Sequence, residues 1–150
     1  MWDSDWSRAF TLKNCAALET IEIRYMSFAD YAGPFEFKNL PALRSIRLGS
    51  PSLQSTNFNY QSFILRDFPN LEELWMGSKA FDESLHTVIE NLPKLKKIEL
   101  RTHAIAGVRD RYDCTLVMRN LESLETLSAS AFSLLYQYNV TMESTLDRSE

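Results

Sequence analysis

Five copies of one apolar frame run through this chain, and no other feature narrows its folding options as far. From Leu18, Leu43, Leu71, Leu95 and Leu124, the residues three, five and ten positions downstream are apolar as well. The copies read Leu18, Ile21, Ile23, Phe28; Leu43, Ile46, Leu48, Leu53; Leu71, Leu74, Met76, Phe81; Leu95, Ile98, Leu100, Ile105; and Leu124, Leu127, Ala129, Leu134. The anchors are 25, 28, 24 and 29 residues apart. Self-similarity at such a period marks a solenoid, in which each unit buries its apolar side against its neighbours.

A second phrase precedes each anchor: FTLKNCAAL (10–18), FEFKNLPAL (35–43), FILRDFPNL (63–71), TVIENLPKL (87–95) and LVMRNLESL (116–124). It opens on apolar residues two apart, Phe10/Leu12, Phe35/Phe37, Phe63/Leu65 and Leu116/Met118, with Thr87/Ile89 as the weaker copy. That alternation predicts a short strand with one buried face. Asn14, Asn39, Asp67, Asn91 or Asn120 follows four residues before the anchor, and Pro41, Pro69 and Pro93 come two residues later. A short polar side chain before a first-turn proline predicts a capped single helical turn. The segments ETIEIR, RSIRLG, EELWMG, KKIELR and ETLSAS then alternate again and predict a second strand. Copies stacked side by side make parallel sheets, over repeats at approximately 10–34, 35–62, 63–86, 87–115 and 116–142, with a tail at 143–150.

The pattern L-x-x-[IL]-x-[ILMA] at this period resembles the leucine-rich repeat family. The run from Asn14 through Cys15, Leu18 and Ile21 to Ile23 is most similar to the BspA-like subclass, with its Cys-x-x-Leu-x-x-Ile-x-Ile phrase. The resemblance covers roughly residues 10–134. It implies a β-dominated solenoid of the α/β class, a right-handed superhelix of about five repeats with parallel strands and short helical turns. The common consensus of the family sets an Asn three residues after the last strand apolar. Here those positions are Met26, Pro51, Lys79, His103 and Phe132, so the Asn/Asp of the preceding turn is expected to take its place.

Outward positions of the second strand form rows across repeats. One row, Glu19, Arg44, Glu72, Lys96, Glu125, changes sign at each step, so adjacent strands can pair opposite charges. The next row is Glu22, Arg47, Trp75, Glu99, Ser128. An outward Trp75 between Arg47 and Glu99 has the composition of a protein-binding hot spot; the alternative is a ring lying flat over neighbouring stems and stacked with Arg47. Phe58 and Tyr60, aromatic residues in the long loop 54–61, form a competing rim site.

A net charge of −4 lacks the dominant basic surface that nucleic acid requires. No apolar run reaches the roughly 18 residues of a membrane span, and the first residues lack the basic and apolar regions of a secretory signal. Cys15 and Cys114 stand too far apart along the array for a bridge, and free thiols favour a cytoplasmic location. Cys15 aligns with Leu40, Phe68, Leu92 and Leu121 and so reads as core. His86 and His103 are isolated, and no nucleophile elbow or phosphate loop occurs. Neither metal nor cofactor nor catalysis is expected. The expectation is a non-enzymatic protein-interaction module that presents a strand face and rim loops. The alternative is a fragment or spacer of a longer leucine-rich-repeat array, structural or adhesive in role, whose thin ends favour end-to-end self-association.

Overall fold

A computed structural model describes residues 7–25, 27–28, 31, 33–51 and 62–143. Among them the chain is a β-solenoid of about five turns with parallel sheets. Each turn contributes two short strands. The first-position strands are β1 (Phe10–Lys13), β3 (Phe35–Lys38), β5 (Phe63–Arg66), β7 (His86–Glu90), β9 (Thr115–Arg119) and β11 (Asn139–Glu143). The second-position strands are β2 (Thr20–Ile23), β4 (Ser45–Leu48), β6 (Glu73–Met76), β8 (Lys97–Leu100) and β10 (Thr126–Ala129).

The second-position strands form one continuous sheet, β2-β4-β6-β8-β10. Its register sets Ile21, Ile46, Leu74, Ile98 and Leu127 in one column. The period-two alternation sends that column inward, and the three middle members are at most 1% exposed. The first-position strands do not form one sheet. β1 pairs only with β3, and β5, β7, β9 and β11 form a separate four-stranded sheet.

The short helical turn expected after the first strand is not there; the described residues contain no helix, and the architecture is β alone. Asn14, Asn39, Asp67, Asn91 and Asn120 adopt left-handed backbone, with φ between 53° and 62°. Asn and Asp tolerate that region better than other side-chain-bearing residues, which is why this type recurs. A β-turn follows, closed by the anchor N–H on the carbonyl three residues back: Leu18 on Cys15, Leu43 on Leu40, Leu95 on Leu92, Leu124 on Leu121. Pro41 and Pro93 stand second in these turns, where a fixed φ near −65° is favoured. The sequence pattern of a capped helix and of this turn coincide; the left-handed residue separates them.

Asn side chains also link neighbouring turns. Asn39 Nδ2 donates to Asn14 Oδ1 at 2.9 Å, Asn91 Nδ2 to Asp67 Oδ1 at 3.2 Å, and Asn120 Nδ2 to Asn91 Oδ1 at 2.7 Å. Every link runs from a later turn to an earlier one. The Asp67 side chain has no N–H to donate to Asn39, and there both the row and the sheet are interrupted.

The core itself is not interrupted. Phe35 packs on Phe63 and Phe81, with ring centroids 6.2 and 5.0 Å apart, and Phe63 meets Phe81 at 4.6 Å. These rings lie beneath the break and join the first two turns to the rest. At the following corner Asn70 Nδ2 reaches the Pro41 carbonyl at 2.7 Å, so the turns are stitched together again.

Candidate interaction surface

The continuous sheet brings Glu22, Arg47, Trp75, Glu99 and Ser128 into one outward row, in the register expected from the repeat. Its centre is more covered than an outward Trp would be alone. Trp75 is only 7% exposed, because the Arg47 guanidinium lies over its ring, 4.8 Å from the centroid. Glu99 is the register partner of Trp75 on the next strand. Of the two readings open for Trp75, the stacked arrangement with Arg47 describes its geometry.

Glu99 collects the charge of this surface. Lys97 approaches its carboxylate at 3.2 Å and Arg101 at 2.8 Å. Partial burial works to raise its pKa, but the Lys97 hydrogen bond and the Arg101 and Lys97 charges prevail and hold it below the ordinary value. Glu22 turns to its own strand's continuation, pairing with Arg24 at 2.8 Å. Arg47 is thereby committed to the ring.

The row Glu19, Arg44, Glu72, Lys96, Glu125 makes one cross-strand ion pair among the described residues, Arg44 to Glu72 at 3.8 Å. Exposed side chains of this length gain little from being held together, so the alternating signs serve mainly to avoid repulsion. A tighter group lies on the opposite sheet. Glu90 pairs with Arg119 at 2.8 Å and with Arg66 at 3.6 Å. The charged residue that ends each first strand was the signal for it.

Two clefts flank the covered tryptophan. One of about 250 Å³ is lined by Glu22, Arg24, Tyr25, Arg47, Ser50 and Trp75 among others. The other, about 210 Å³, lies between Arg47, Pro51, Glu73, Trp75, Lys97 and Arg101. A larger cleft, about 540 Å³, is elsewhere: it opens at the sheet break, between Phe35–Asn39 and the Ile64, Arg66 and Asp67 side. Sequence reading missed it, since an unpaired strand edge leaves no mark on a periodic pattern. The rim candidates Phe58 and Tyr60 lie outside the described residues.

The residues that could have carried chemistry have structural partners. His86 Nδ1 is 2.9 Å from Thr115 Oγ1, and His103 stacks on Phe132 at 5.3 Å. Cys15 and Cys114 are both free thiols, half-buried and buried respectively. Among the described residues no three His, Cys, Asp or Glu side chains gather as metal ligands, and no helix is long and apolar enough to cross a membrane.

Comparison with protein-family models, with curated proteins and with solved structures finds no match.

Proposed function

We propose that this chain is a non-enzymatic protein-binding module of the leucine-rich-repeat type, BspA-like in its repeat phrase, that engages a partner through the continuous sheet. The observation that carries the reading is the Arg47–Trp75–Glu99 stack with a cleft on each side. Its side chains are already ordered by one another, so a partner meets a flat surface whose conformational entropy is largely spent. Trp and Arg at the centre of a patch are the residue types that dominate interface energetics. The charges on the face are largely matched, which favours a partner of mixed composition over a strongly charged one.

Affinity capture with the wild type, Trp75→Ala and Thr11→Ala tests this. Trp75→Ala should weaken a recovered interaction by at least about 2 kcal/mol with the fold intact. Thr11→Ala, on an exposed outward position of β1, should change nothing. A partner retained equally by all three proteins would show that the sheet face is not the binding surface.

A second reading, a spacer within a longer array with a structural or adhesive role, draws on the last turn. There the inward position Leu127 is 38% exposed, and Val140 and Met142 are 48% exposed. Further turns stacked on β10 and β11 would cover them.

A further inference from the structure

We infer, resting on the sheet-face reading above, that the partner brings an aspartate or glutamate carboxylate to the edge of the Arg47 guanidinium. A guanidinium ion has a flat face and a rim of N–H donors. Arg47 uses only the face, which lies on the Trp75 ring at 4.8 Å from the centroid. The side chain is exposed, and its rim has neither a hydrogen bond nor an ion pair among the described residues.

Neighbouring arginines are used differently. Arg24, Arg44, Arg66, Arg101 and Arg119 each have a carboxylate within 3.8 Å. Arg47 does not, although Glu22 is its register partner on β2. Glu22 turns instead to Arg24 at 2.8 Å, and Glu99, two strands away, is held by Lys97 and Arg101. The carboxylates of this row are therefore taken and one cation is left over, on a chain whose net charge is −4.

The two clefts decide from which side an anion arrives. The one shared with Lys97 and Arg101 also contains Glu73, which has no cation partner among the described residues and repels a carboxylate. The other holds Glu22 and Arg24 as a closed pair, so its only unbalanced charge is that of Arg47. Tyr25, 45% exposed, and Pro51 supply an apolar wall to the same cleft. A peptide that sets an acidic residue on Arg47 thus seats a neighbouring apolar side chain against Tyr25 and Pro51. The rim presents paired donors that match the two oxygens of a carboxylate, and the ring keeps water from one face of the ion pair. A phosphate dianion fits less well, because Arg24, the other cation of this cleft, is already held by Glu22.

The probe is a random-peptide phage library panned on the 150-residue chain, with counter-selection on Trp75→Ala. The enriched peptides should share an acidic residue. Replacing it by its amide in a synthetic peptide should weaken binding roughly tenfold on the wild type and change nothing on Arg47→Gln. Arg47→Glu should prefer the peptide whose acidic residue is replaced by lysine, a reversal that lost packing on Trp75 does not produce. Three results would each overturn the inference and leave the Trp75 reading standing, since the peptides would still need Trp75. They are enriched peptides without an acidic residue, an amide replacement equally costly on Arg47→Gln, and no reversal on Arg47→Glu. A library that yields no Trp75-dependent peptide would remove both.

Discussion

The two long sides of this solenoid are made from the same repeat, yet one is a continuous five-stranded sheet and the other is split between β3 and β5. On the continuous side every step is held by in-register backbone pairing, from β2 to β10. On the split side, backbone pairing and the Asn/Asp row stop together, at the one turn where Asp67 replaces Asn. What bridges the gap is aromatic packing below it and the Asn70 contact beside it. A repeat protein can therefore lose a rung of its sheet without losing its core, because side-chain burial and backbone pairing are separate constraints.

The largest test of that separation is in the core beneath the break. Phe63 is fully buried and its ring spans the turns whose strands do not pair. Phe63→Ala should cost about 3–5 kcal/mol, and Leu74→Ala on the continuous side about 2–5 kcal/mol. Denaturant melts that give Phe63→Ala only the effect of a surface substitution would mean that the core parts along with the sheet. Leu124→Ala, in the half-buried last copy, should cost less than either.

Next in size is the left-handed residue. Asn91→Ala forces alanine to φ near 56° and removes both row contacts, those to Asp67 and from Asn120. A loss of about 1–2 kcal/mol is expected from the backbone alone. Asn91→Gly keeps the backbone and loses only the exposed side-chain bonds, so it should recover most of that loss. If the glycine variant is as unstable as the alanine one, the hydrogen-bonded row and not the turn conformation is what selects Asn.

The smallest effect sharpens the comparison most. Asp67→Asn supplies the missing donor toward Asn39 and should stabilise by about 0.5–1.5 kcal/mol if that bond forms. Amide exchange in β3 and β5 should slow at the same time. Unchanged exchange would assign the gap to the bulk of Phe35 and Phe63 instead of to the absent N–H.

Periodicity by itself determined the solenoid, its five turns, the strand positions and the inward columns. Burial in a strand follows from a two-residue alternation, and stacking follows from its recurrence. The outward row through Trp75 was legible for the same reason, since register in a parallel stack copies the repeat. The turn at Asn91 was not, because a cap and a left-handed residue favour the same amino acids and differ only in φ. Tertiary structure alone decided the cover of Arg47 over Trp75, the gathering of Arg66 and Arg119 on Glu90, and the split at Asp67. Each depends on a distance between side chains in different turns, and periodicity sets which residues are neighbours without setting which of several available partners a charge, a ring or an unpaired donor takes.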